Sequence, residues 1–338
     1  MSITGGVFSE TILANIQLKA EQYWQDRIQK QDYVADAEVI KVLNAKQTAT
    51  FGNFLTGKKK DPTVEISWIN ACDIDDRACH NCTFPTTELS TNMEEKTLTQ
   101  CRETGFAVNE HDFHDNVYDF ENIVAKGLLT AGKVLDEWWA GRGVVAMNAA
   151  KGVNAAGTVS KGVVSGTDTY VLPAYWDAGL MSYFAMVSEI NKFNNEFLIS
   201  GKNLYESVWT ADYETCCEED RLKFGSLPIY FDLVNIDIAN TPDYVTYMIH
   251  GGAFAYYTKA YYTGVPVKYM DQWRWAVPSR NIPGVMYDVH YMNECNTNDD
   301  FFTHYWKFKT LGDIYVNPTG CTATRTGLLS FICGAPDE

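Results

Sequence analysis

The apolar positions begin as a thin scatter in a polar stretch. Residues 9–43 read as a helix, with Ser9 or Thr11 as N-cap and Ile12, Ile16, Tyr23 and Ile28 as its apolar contacts. Around them stand Glu21, Gln22, Gln25, Asp26, Arg27, Gln29, Lys30 and Gln31. A long polar helix that cannot fold on its own core suggests an arm lying on something else, with an ordinary surface helix as the alternative. After a turn at Gly57–Pro62, Val64, Ile66 and Trp68 alternate with Glu65 and Ser67, which is strand period. Residues 70–105 are polar and cysteine-bearing, and they predict an extended loop or hairpin with little apolar content. Structureless loops of that length are uncommon inside compact domains, so a function or a partner is expected for it.

The clearest helix is predicted over 115–140, capped by Asp115 or Asn116. Val117, Phe120, Val124, Leu128, Ala131, Leu135 and Trp138 place one apolar face along it. Gly127 and Gly132 weaken it by roughly 1 kcal/mol each relative to Ala, so packing must hold it. Gly141–Thr169 is rich in glycine and small residues and predicts loops with short strands. A second helix follows from about Pro173 to Ile199, with Leu180, Phe184, Val187, Ile190, Asn194 and Phe197 on one side and Gly201 as its C-terminal glycine. Residues 226–238 alternate as a strand, and Thr241-Pro242-Asp243 opens a third helix running to about Tyr262. Beyond Gly264 the pattern is β, over 265–270, 272–277, 284–291, 304–316 and 326–333. Without βαβ alternation, the class is α+β.

Composition narrows the function classes. The chain of 338 residues carries 27 Lys+Arg against 43 Asp+Glu, a formal net charge of −16. That balance argues against a dedicated nucleic-acid binder, which needs basic surface to replace counterions on phosphate. No run of 18 apolar residues reads as a membrane span, and the first cationic side chain is Lys19, so no signal peptide is expected.

Candidate chemistry is sparse. No P-loop, dinucleotide fingerprint or nucleophile elbow is present. Glu110, His111, Asp112, His114 and Asp115 form the best catalytic-looking cluster, since His and carboxylates both ligate divalent metals. The stretch also stands where a helix favours acidic residues at its N-terminus. The nine cysteines include Cys72, Cys79, Cys82 and Cys101, spaced C-x6-C-x2-C-x18-C. A C-x2-C lets two thiolates reach one zinc, but a second such knuckle is missing, so a structural zinc, disulfides and free thiols all stay open. Aromatic pairs at Trp138-Trp139, Tyr256-Tyr257, Tyr261-Tyr262 and Trp273-Arg274-Trp275 fit a core, and also suit broad protein contact.

The order of these elements resembles the tailed-bacteriophage major capsid proteins of the Hong Kong 97 fold. The resemblance spans nearly the whole chain and rests on order and length. It implies an N-arm at 1–50, an E-loop at 51–110, the spine helix and P-domain over 111–225, an A-domain at 226–315 and a return to the P-domain at 316–338. It implies a non-enzymatic structural protein that self-assembles into the icosahedral shell around phage DNA. Partners would be copies of itself in pentamers and hexamers, with scaffold, portal and minor capsid proteins, and no membrane. Its place would be the virion, after assembly in the host cytoplasm. Ile12, Ile16, Tyr23, Trp68, Trp138 and Trp139 become candidates for contact between subunits. A cysteine-bearing E-loop is not a general feature of that family. An acidic wall fits the role, because it repels the genome it encloses. Two other readings stand beside it: a metal-dependent enzyme using His111 and His114 or the cysteines, and an aromatic-rich module binding glycans or protein.

Overall fold

In chain order the elements are α1 (Glu10–Gln25), a 3-10 turn (Gln29–Asp32), α2 (Glu38–Ala45), β1 (Thr50–Phe51), β2 (Thr63–Ile69), β3 (Thr91–Thr97), β4 (Gln100–Asn109) and α3 (Phe120–Ala149). Then come β5 (Val163–Val164), β6 (Thr169–Leu172), α4 (Ala178–Asn191), β7 (Phe197–Ser200), β8 (Lys223–Phe224), β9 (Leu227–Phe231) and the short α5 (Asn235–Ile238). The rest is β: β10 (Val245–Ile249), β11 (Phe254–Thr258), β12 (Val267–Tyr269), β13 (Gln272–Pro278), β14 (Met286–Cys295), β15 (Phe302–Val316) and β16 (Leu328–Cys333). The computed structural model describes residues 9–51, 63–69, 91–111, 120–150, 163–164, 169–172, 178–191, 193–202, 204–205, 223–224, 227–238, 245–295, 301–317 and 327–333. The chain is α+β.

Several elements differ from the sequence pattern, each for a local reason. The first helix does begin at Ser9, whose Oγ accepts the Ile12 N–H at 3.3 Å. It ends after Gln25, because the Asp26 carboxylate accepts the Ile28 and Gln29 N–H groups at 2.9 and 3.4 Å and turns the chain. α3 continues through Gly141 and Gly143 to Ala149, where loop was expected. Its buried side runs through Leu129 and Trp139, one residue on from Leu128 and Trp138. In the stretch 70–105, β3 pairs antiparallel with β2, which fits the hairpin of the two readings, and β4 begins at Gln100. The second helix stops at Asn191, and Phe197–Ser200 is a strand. The helix expected up to Tyr262 is replaced by β10 and β11, joined by a turn in which Gly252 has φ +82°. Val245, Thr246, Tyr247, Met248 and Ile249 are β-branched, aromatic or apolar, and all five are buried. The helix-start signal at 241–243 lies outside the described residues.

The chain forms two compact units, each discontinuous in sequence. Unit one comprises Met1–Ala37, Thr99–Trp139 and Tyr257–Asp313; unit two comprises Glu38–Leu98, Ala140–Tyr256 and Ile314–Glu338.

A six-stranded sheet runs in the order β11-β15-β14-β13-β12, with β4 also paired to β15, and its β4, β12, β13 and β14 lie wholly in unit one. β15 is antiparallel to β14 from Asp288↔Lys309 to Cys295↔Phe302, and to β4 from Thr303↔Asn109 to Gly312↔Gln100. Trp275, Tyr287, Tyr291, Trp306 and Phe308 are buried on one face. Helix α1 buries Leu13, Ile16 and Ala20 and joins α3 through a polar seam. In that seam Asn15 donates to Glu121, Lys19 pairs with Glu121 at 3.1 Å, and the Tyr23 hydroxyl donates to Asn122 at 3.0 Å. Burial of the apolar pair Leu13 and Ile16 is worth about 1.5–3 kcal/mol each, enough to hold the helix down.

Unit two carries a seven-stranded sheet in the order β5-β6-β16-β10-β7-β9-β8, parallel at β16–β6 and β7–β9. Alternate residues feed opposite cores. Phe197, Ile199, Val245, Tyr247 and Ile249 meet Val39, Leu43, Val144 and Met147, whereas Leu198, Ile229 and Met248 meet Phe184 and Val187. The Asp232 carboxylate, itself buried, accepts the Val39 N–H at 3.2 Å at the start of α2. A carboxylate there complements the helix dipole. A separate sheet β1-β2-β3 in the same unit pairs Thr63↔Thr97 through Ile69↔Thr91, with Val64 and Ile66 fully buried.

Candidate functional site

The residues singled out by sequence do not converge. Cys72, Cys79, Cys82, His114 and the Trp68 side chain lie outside the described residues. Cys101 is an exposed free thiol on β4, opposite Leu311. His111 is exposed, with its N–H donated to Asn109 and its ring edge-on to Phe301 at 5.1 Å. Among the described residues no group of three or more His, Cys, Asp or Glu is arranged to hold a metal. Of the contact candidates, Ile12, Tyr23 and Trp138 are half-buried, whereas Ile16 and Trp139 are fully buried in unit one. Trp139 also donates its indole N–H to Thr310 at 3.0 Å. Their own chain has taken these two side chains, so neither offers surface to a neighbour.

Glu110, from the acidic cluster, has a different partner than expected. It faces His304, Oε1 to Nε2 at 3.1 Å, and its other oxygen accepts the Phe302 N–H at 3.3 Å. The far side of the imidazole meets the Tyr291 hydroxyl at 2.7 Å. Burial lowers the His304 pKa, and Glu110 pulls against that. A neutral ring donating to Glu110 and accepting from Tyr291 satisfies all three groups. This triad ties β14 and β15 to the turn after β4, which makes it a structural device.

The site with an open surface is the other face of the same sheet. Alternation along β4, β13, β14 and β15 turns one set of side chains away from the tryptophan core. Register then stacks that set in two cross-strand rows. One row runs Gly105, Lys307, His290, Arg274, Val267, and the next runs Ala107, Tyr305, Met292, Gln272, Tyr269. Lys307 and His290 of the first row and Tyr305, Met292 and Gln272 of the second border a hollow of about 630 Å³, and Arg274, Val267 and Tyr269 continue the rows beyond it. Gly105 is required beneath it, since a Cβ there would stand 2.4 Å from the Trp306 carbonyl oxygen.

Beside the hollow the sheet is covered by the segment after β11. Asp288 accepts the Tyr261 and Tyr262 N–H groups at 2.9–3.1 Å, which pins that segment down. Tyr262 then reaches Arg274, whose Nη1 donates to its hydroxyl at 3.1 Å, and packs edge-on against His290 at 5.5 Å. Burial, then the charges of Arg274, Lys307 and Lys309, push the His290 pKa down to about 4. At neutral pH the positive charge of the face therefore belongs to Arg274, Lys307 and Lys309. The arrangement suits recognition of carboxylates flanked by apolar groups. Sequence reading passed over this face. The alternation in 272–277 and 304–311 carried the signal, but only the register shows which polar residues share a row.

No protein-family model and no curated protein matches the chain. Among solved structures it is similar to the mature capsid of bacteriophage PhiM1, with 9% identity, a TM-score of 0.47, and 85% of this chain and 89% of that chain covered. It is similar to the capsid of cyanophage P-SCSP1u, with 10% identity, a TM-score of 0.46, and coverage of 81% and 84%. It is also similar to a chain of Mycobacterium phage Adephagia, with 9% identity, a TM-score of 0.45, and coverage of 89% and 92%.

Proposed function

We propose that this chain is a tailed-bacteriophage major capsid protein with the Hong Kong 97 fold, and that copies of it close into the icosahedral shell that encloses phage DNA. The observation that carries the reading is the order of elements. A polar helical arm at α1 precedes the β2–β3 hairpin, a 30-residue helix follows at α3, and the remainder is mostly sheet. In this reading α1 belongs to the N-arm, β2 and β3 to the E-loop, and α3 is the spine helix. The role is structural, without a catalytic step. Pentamers and hexamers are the intermediates, and scaffold, portal and minor capsid proteins are the further partners. Assembly takes place in the host cytoplasm and the product is the virion.

A charge of −16 on the chain supports enclosure without adhesion. Phosphate and an acidic wall repel, and the repulsion weakens as salt shortens the Debye length. Sedimentation velocity of the expressed full chain, alone and with a scaffold protein, tests the reading. Capsomers or shell-sized particles are expected; a monomer under every condition would overturn it.

A further inference from the structure

Resting on the shell reading, we propose that the open face of the unit-one sheet seats an acidic, extended segment of a second copy of this chain, with Arg274 and Lys307 receiving its carboxylates.

Three observations converge on this face. The first is an unmatched cation. Arg274 donates from Nη1 to the Tyr262 hydroxyl at 3.1 Å and from Nη2 to Gln272 at 2.8 Å, while its Nε is buried without a partner. The guanidinium also stands 5.5 Å from the Tyr269 ring. All of these groups are neutral, and among the described residues no carboxylate pairs with Arg274. A partly buried cation held only by neutral groups gains much from an arriving anion, because its own desolvation has already been met. The second is a local excess of charge. Lys307 and Lys309 share Glu103 at 3.6 Å each, and Lys309 also stands opposite the buried Asp288, so with Arg274 the face sets three cations against two carboxylates.

The third is apolar surface continuous with the cations. Val267 and Tyr269 lie on the same side of β12 and close the two rows that contain Arg274 and Gln272. They are 54% and 58% exposed, and Met270 beside them is 78% exposed. Five strands spaced about 4.8 Å apart give a track on the order of 20 Å, which about six extended residues cross.

The occupant follows from charge. With 43 acidic against 27 basic side chains, the surface of another copy is on average acidic. A track this narrow falls well below the roughly 800 Å² per partner of a self-sufficient interface. It therefore suits one contact among several, as a shell supplies, and not an isolated dimer.

The test compares assembly of the full-length wild type, Arg274→Gln, and Lys307→Gln combined with Lys309→Gln, by sedimentation across a sodium chloride series. Both variants are expected to raise the protein concentration needed for assembly about tenfold and to flatten its salt dependence. The two lysines extend from the surface, so the double variant keeps the measurement decisive where Arg274→Gln folds poorly. Wild type that assembles, with the double variant matching its threshold and salt dependence, overturns this inference alone. Wild type that never assembles overturns the shell reading beneath it.

Discussion

Asp136 shows how a single residue can organise unit one. It is fully buried on α3, and its carboxylate accepts from the Ser279 hydroxyl at 2.7 Å, the Asn281 amide at 2.8 Å and the Tyr287 hydroxyl. Asn281 in turn accepts the Ala35 N–H at 3.1 Å, so the network reaches the chain after α1. Asp136→Ala leaves several buried donors unpaired and is expected to cost about 3 kcal/mol, read as a lower urea midpoint. The imidazoles set a pH dependence. Burial, then Arg274, Lys307 and Lys309, hold His290 near 4, while Glu103 pulls the other way. Burial also lowers His304 and His250. The unfolded chain takes up these protons near pH 6.5, before the folded chain does, so stability rises with pH across that interval. The imidazole contribution is expected to be full above about pH 6.5 and to fall toward pH 4, opposed by Asp288 and Glu137, whose carboxyl pKa values burial raises. Urea midpoints at pH 7 and pH 5 check it, and His290→Gln should reduce the difference. Neither network was legible beforehand, because Asp136 lies 143 residues from Ser279 in sequence and His304 lies 194 from Glu110.

At the scale of elements, the glycines of α3 divide into two kinds. A Cβ on Gly143 would stand 2.9 Å from Val39 on α2, whereas a Cβ on Gly132 meets nothing within 4 Å. Gly143→Val is expected to destabilise by about 2 kcal/mol through overpacking. Gly132→Ala is expected to stabilise by about 0.5–1 kcal/mol through helix propensity. Thermal melts of the two variants should therefore move in opposite directions. The same glycines explain one limit of the sequence. Gly141 and Gly143 read as loop, yet Gly143 is there so that α2 can approach the helix. Alternation made β2, β13, β14 and β15 legible, since polar side chains recur along one face of each. β10 was illegible as a strand, because it is buried on both faces and so lacks the alternation that marks a strand. The buried side of α3 was legible to within one residue.

At the scale of the molecule, the class α+β and the order arm, hairpin, long helix and sheet were legible in the sequence. The division into units was not. Each unit gathers segments from three parts of the chain, and no change of composition marks Ala37, Trp139 or Tyr256. The open face was hidden for a related reason: its rows join residues from β4 to β15, which only the register brings together. The acidic charge, uninformative about fold, becomes specific once the shell is proposed. In that reading it repels the enclosed DNA and supplies the carboxylates proposed to meet the cations of a neighbouring copy. The most direct measurement is negative-stain microscopy of the purified full chain after assembly. The account predicts closed shells of uniform diameter built from pentameric and hexameric capsomers. A population of separate monomers, with or without scaffold protein, would contradict it.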